Sequence, residues 1–235
     1  RREPPEGDLP RVDASDCLLL PGLISAHTHV VAGLPTRGTI ESGRPYMRPL
    51  ELLHGLGEDE LDTLTAANLA EMIRSGCTTQ LEMSLNRAQA ESYVRVARAW
   101  GVRGFPSVMT PATERLAEIW FRTSDETLTA SAPETIAEIE DGLAFARQVK
   151  ALGDPRLVPM MAAHATDTHT PETLAALRRA VRELDAALHV HIAQRVTERD
   201  AVQRLWGSSP ARFLEEAGLL DGPVFGAHMT AVDWS

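Results

Sequence analysis

Short, almost unbroken apolar runs alternate six times with stretches of helical periodicity, and this alternation restricts the fold more than any other feature of the chain. The apolar runs are Leu20–Ile24 leading into His27, Cys77–Met83, Val102–Met109, Leu157–Ala163, Leu188–Ala193 and Pro223–Ala227. Between them lie helical patterns. Glu58–Ser75 repeats Leu61, Leu64, Leu69 and Met72 and stops at Gly76, and Asn86 caps a second helix that ends at Gly101. Ser131-Ala132-Pro133-Glu134 predicts a third helix start, Thr170-Pro171 a fourth, Thr197 a fifth running to Trp206 and Ser209-Pro210 a sixth. Residues 31–57 and 110–130 predict long loops, the second with a short helix around Leu116–Phe121. Strands that are apolar on both faces belong to parallel βα units whose sheet is covered on both sides. Two architectures remain, a doubly wound sheet and a (β/α)8 barrel. No Gly-rich phosphate fingerprint follows the first strand, which counts against dinucleotide binding.

The histidines favour the barrel. His27, His29, His164, His191 and His228 all fall at the C-terminal ends of different predicted strands, the His27/His29 pair sharing the first. In a barrel those ends converge on the one face where active sites are built. His27 and His29 stand at i and i+2, so on a strand both rings point to one face, and neutral imidazole is a good ligand for zinc and similar ions. His189 precedes His191 by two and shares its inward face, where it either orients a ligand or packs inside the barrel. His54 and His169 fall in predicted loops, as surface or substrate-side residues.

Composition narrows the function. A net charge of −10 argues against nucleic acid, which calls for clustered Lys and Arg. No apolar run approaches the ~20 residues of a membrane span, so no membrane partner is expected. Cys17 and Cys77 form no framework, and two reduced thiols in a cytoplasmic protein are expected.

The motifs, in order, resemble those of the amidohydrolase superfamily. Pro21-Gly22-Leu23-Ile24 followed by His27-Thr28-His29 is similar to its first metal strand, and Ser75-Gly76-Cys77-Thr78-Thr79 to its second-strand signature. Ala163-His164-Ala165 with Thr170-Pro171-Glu172 resembles the fourth-strand substrate segment of its deaminase and chlorohydrolase branch. His189-Val190-His191 and Gly226-Ala227-His228 resemble the fifth and sixth strands. The resemblance covers about Asp13 to the end of the chain.

What the resemblance implies is a (β/α)8 TIM barrel of amidohydrolase type, with strands 1 to 6 present and the barrel incomplete in this chain. Residues 1–20 would be the tail of a small β domain and residues 21–235 the barrel, part of a longer polypeptide or completed by another chain. One divalent ion, zinc first and cobalt, manganese or iron as alternatives, would sit on His27, His29, His191 and His228. His164 and Gln194 would meet a small-molecule substrate, with His228 and Gln194 as catalytic candidates. Trp120 and Phe121 either cap that substrate or pack on a neighbouring helix. The family's eighth-strand Asp has no counterpart here, and Leu157–His164 holds no Lys for a second metal. A homo-oligomer is expected.

One position departs from the pattern. Where the resembling deaminases and triazine chlorohydrolases carry a carboxylate, three residues after the fifth-strand His, this chain has Gln194. A carboxamide has no titratable proton near neutrality, so it cannot shuttle one to a leaving amine. The expectation is a metal-dependent hydrolase that cleaves an amide, urea or carbamate-type C–N bond with a metal-activated water. The alternative is a deaminase or chlorohydrolase acting on a nitrogen heterocycle, and a non-catalytic relative is the third reading.

Overall fold

The computed structural model of the chain describes residues 12–37, 50–121 and 124–232. In chain order the elements are β1 (Leu23–Thr28), α1 (Gly33–Thr36), α2 (Glu58–Arg74), β2 (Cys77–Ser84), α3 (Arg87–Trp100), β3 (Arg103–Thr110), α4 (Thr113–Phe121), α5 (Asp125–Ala151), β4 (Met161–Ala165), α6 (Pro171–Leu184), β5 (Leu188–Ile192), α7 (Val196–Trp206), α8 (Pro210–Glu216) and β6 (Val224–His228). The six strands form one sheet in sequential order, and every neighbouring pair is parallel. The sheet curls until the ends of β1 and β6 face each other, with the His27 and His228 rings 5.4 Å apart. This is the expected architecture, an incomplete TIM barrel of nearly closed form. Residues 1–11, half of the expected β-domain tail, lie outside the described residues; residues 12–22 contain neither helix nor strand.

The caps behave as the sequence chemistry demands. Asn86 Oδ1 accepts from the Gln89 N–H, the Thr170 hydroxyl from the Thr173 N–H and the Ser209 hydroxyl from the Arg212 N–H. Three boundaries differ from expectation. Helix α5 starts at Ser124, not Ser131, and carries Pro133 in its interior. Leu128 and Ala132 are buried there, so packing extends the helix, while Pro133 and Thr129, whose carbonyl loses its i+4 donor at the proline, are exposed residues. Helix α7 is capped by Arg195 rather than Thr197. Strand β4 begins four residues late and takes in His164, because Pro155 and Pro159 cannot donate to a ladder; Leu157 keeps a single bridge to Gly104.

Three apolar clusters hold the fold. The largest joins β4, β5 and helices α5, α6 and α8 through Ile139, Leu143, Leu174, Leu177, Leu188 and Leu214. A second packs Tyr93 and Val96 of α3 against β3 and α5. A third, with Leu50, Leu85, Met109 and Leu116, lies under the C-terminal ends of the first strands. Both cysteines are free thiols, Cys17 exposed and Cys77 buried. Among the described residues no helix is long and apolar enough to cross a membrane.

Candidate metal centre

Three imidazoles converge at the C-terminal ends of β1 and β5. One nitrogen each from His27, His29 and His191 can be chosen so that all lie within 4.8 Å of one another. His29 and His191 face each other through Nε2 atoms 3.3 Å apart. Two nitrogens bound to one tetrahedral zinc at ~2.0–2.1 Å would lie about 3.3–3.4 Å apart, so this spacing leaves room for a shared ion. The outer nitrogens of His29 and His27 are organised as well. His29 Nδ1 is 2.5 Å from the Met83 carbonyl, which can only accept, so Nδ1 carries the proton and Nε2 keeps its lone pair for the cavity.

His27 Nδ1 lies 2.9 Å from Nε2 of His189, which is fully buried. His189 therefore touches a candidate ligand directly, as the orienting alternative requires. Burial and the neighbouring imidazoles hold His27 at a pKa of about 2 and His29 at about 4, and push His191 well below the ordinary value. All three are neutral at pH 7, the form that binds metal. His191 Nδ1 is buried without a partner. A donor set of three neutral imidazoles converging on one point fits a divalent cation.

His228 stands beside the trio and outside its 4.8 Å span, with its ring 5.1 Å from that of His191. It is exposed and has φ +76°, in the left-handed region. His164 is buried on β4, its ring 5.5 Å from that of His191, and its Nδ1 lies 3.2 Å from the Thr168 hydroxyl.

These histidines open into a cavity of about 400 Å³, which Gln194 also lines. Its far wall is apolar, with Ala32, Leu50, Leu85, Met109 and Leu116, and its described lining contains no carboxylate. A larger groove of about 560 Å³ on the outer helical face, between Arg178, Trp206 and Phe213, shares no residue with it. The side chains of Trp120 and Phe121 lie outside the described residues.

His169 departs from expectation. It is neither at the surface nor on the substrate side but fully buried. Its Nε2 is 3.0 Å from the Thr110 carbonyl and so donates; its Nδ1, 3.0 Å from the Thr173 hydroxyl, accepts. A 3-10 turn over Thr166–Thr168 brings it under the end of β3. His54 is exposed as expected.

Two carboxyl groups near the site escaped sequence reasoning. Glu82 on β2 is fully buried and accepts 2.8 Å bonds from the Val30 N–H and the Ser84 hydroxyl; burial pushes its pKa up to about 8. Glu198 in α7 is equally hidden and bonds the ends of β4 and β5. The signal for Glu82 was a lone acid inside an apolar strand. Glu198 looked like an ordinary first-turn acid.

Comparison with known proteins agrees with this fold. The chain is 29% identical over 241 residues to a 5-methylthioadenosine/S-adenosylhomocysteine deaminase of Moorella thermoacetica, covering 95% of this chain and 50% of the relative. It is 30% identical over 230 residues to the protein of the same name from Desulfovibrio desulfuricans, covering 94% and 46%. The chain thus spans about half the length of the curated relatives it matches. Among solved structures, an adenosine deaminase from Xanthomonas campestris with bound zinc aligns with a TM-score of 0.64 at 23% identity, over 91% of this chain and 45% of that one. Atrazine chlorohydrolase from Arthrobacter aurescens complexed with zinc aligns at 0.65 and 18%, over 91% and 49%. Residues 18–233 match the Amidohydrolase family, and the chain belongs to it.

Proposed function

We propose that the chain is the metal-binding part of a hydrolase that cleaves a C–N bond. The convergence of His27, His29 and His191 on one point carries this reading. These three would hold one divalent ion, zinc first, and His228 would complete the set from β6. A bound zinc ion would supply Lewis acidity, lowering the pKa of a coordinated water from ~15.7 to about 7 and polarising the carbon under attack. The zinc-bound adenosine deaminase and chlorohydrolase of the same fold support zinc over its alternatives.

The protein's own groups would do the rest. His164 faces the substrate from β4. Gln194 either donates its NH2 to a substrate carbonyl or accepts an N–H through its oxygen. The apolar far wall formed by Leu50, Leu85, Met109 and Leu116 suits a substrate with an uncharged, apolar arm.

Two substrate classes are each supported by a specific observation. The deaminase relatives favour release of ammonia from an aminopurine-like ring. A carboxamide at residue 194, in a lining whose described residues include no carboxylate, favours an acyclic amide, urea or carbamate. The test is kcat/KM of zinc-loaded protein on 5-methylthioadenosine and on an aryl urea or carbamate, for the wild type and Gln194→Glu. If the substrate is acyclic, the new charge opposes the developing oxyanion, and activity on it falls roughly 5- to 200-fold, the range for one lost transition-state bond. If the substrate is the ring, the variant equals or exceeds the wild type on it. Turnover of neither class by the zinc-loaded full-length protein defeats the C–N reading.

A further inference from the structure

Gln194 lines the cavity together with His191, although it would point the other way if β5 ran on past Ile192. Along a strand, residues 191 and 193 share one face and 194 takes the other. The chain breaks that alternation at Ala193, which has φ +47°, a conformation that a residue with a Cβ adopts at a cost. Glu198 holds the break in place. Its Oε2 accepts from the Gln194 N–H at 2.7 Å, and its Oε1 from the Ala193 N–H at 3.1 Å. Oε1 also accepts from the Thr166 hydroxyl at 2.6 Å and from the Thr166 N–H at 3.4 Å. A first-turn acid ordinarily serves the start of its own helix. Glu198 instead reaches past the Arg195 cap to the two residues before it and to the neighbouring strand end. Thr166 follows His164 by two residues and Gln194 follows His191 by three, so one side chain, 2% exposed, sets the spacing of the two substrate-side groups.

We propose that Glu198 is a positioning residue that presents Gln194 to the substrate by locking the left-handed turn at Ala193 and tying the end of β5 to the end of β4. Both carboxylate oxygens are occupied by these donors, so Glu198 acts through Gln194 and not as a replacement acid. The proposal rests on the C–N hydrolase reading for its kinetic arm only.

The experiment uses the full chain loaded with zinc. In Glu198→Gln an NH2 replaces one acceptor and confronts the donors aimed at it. Hydrogen exchange of the Ala193 and Gln194 amides should accelerate about tenfold or more. Unchanged exchange overturns the clamp without any substrate. For the kinetic arm, kcat/KM should fall about tenfold in the wild-type background, with zinc content unchanged. In a Gln194→Ala background the same substitution should change it less than about twofold, because residues acting through one another are not additive. Equal losses in both backgrounds, or no loss in either, overturn the positioning role. If Glu198→Gln does not fold, Thr166→Val removes the 2.6 Å bond alone and is read in the same way, with a loss of about threefold. If the wild type turns over no C–N substrate, the proposed function falls, while the exchange measurement still decides the clamp.

Discussion

The wall of β4 and β5 and the rim of β1 and β6 are made of similar sequence and live in different surroundings. MAAHA and LHVHI are buried at every residue, covered on the outside by α5 and α6. LISAHT and VFGAH are comparably apolar, yet Leu23 and Ile24 are 61% and 65% exposed and Phe225 is 40% exposed. The same contrast runs through the candidate metal centre. His191 stands on the wall at 5% exposure, whereas His228 stands on the rim, open to solvent. A strand's own residues make it fit for a barrel; its neighbours decide whether it is core or edge.

The largest effect expected from this contrast is at the metal. His191→Ala should remove measurable zinc binding and lower any zinc-dependent activity by about 1,000-fold, beyond the 10- to 100-fold typical of residues behind a ligand. His228→Ala on the rim should weaken zinc by about tenfold. Elemental analysis after dialysis against a graded chelator checks both, and equal losses would erase the distinction between wall and rim.

Stability comes next. Leu188 is fully buried in the wall, so Leu188→Ala should destabilise the fold by about 2–5 kcal/mol, several degrees or more in Tm. Ile24→Ala on the rim should stay within about 0.5 kcal/mol. Thermal melts of the full-length protein compare the two; an Ile24 effect as large as that of Leu188 would mean that the rim is covered in solution.

An effect seen only at acid pH sharpens the electrostatics of the wall. Burial lowers His169 from 6.5 to about 4. The folded pKa lies below the unfolded one, so between about pH 6.5 and 4 the unfolded chain binds the extra proton. The stability this group contributes is complete above 6.5 and is lost as the pH falls towards 4. His169→Gln can keep the bond to Thr110 and does not titrate. It should make the acid side of the stability profile shallower by one proton, about 1.4 kcal/mol per pH unit. Glu82 has the opposite sign: its stabilising effect is lost as the pH rises from about 4.5 towards 8. The two windows overlap between about pH 4.5 and 6.5, where these effects oppose each other. His27, His29, His164 and His189, also lowered by burial, add to the acid-side loss, so metal-free protein is expected to be most stable near pH 6.5, which chemical denaturation across pH would measure.

The alternation of apolar runs with 3.6-residue periodicity was sufficient for six parallel βα units, because burial on both faces leaves a strand no polar positions to lose. The histidine positions were sufficient to bring His27, His29 and His191 together at one end of the barrel, because strand ends in this architecture converge. Asn86, Thr170 and Ser209 fixed their helix starts through local bonds to nearby N–H groups, a contact that needs no tertiary partner. Other features depended on residues distant in sequence. Ser124 prevailed over Ser131 because Leu128 and Ala132 had a core to enter. His169 went inside because Thr110, 59 residues away, offered a carbonyl. Glu82 and Glu198 are tolerated in the interior because Val30, Thr166, Ala193 and Gln194 supply donors there. Periodicity and capping are short-range and can be read along the chain, but a buried polar group is decided by the partner it meets, and only the tertiary structure brings that partner within 3 Å.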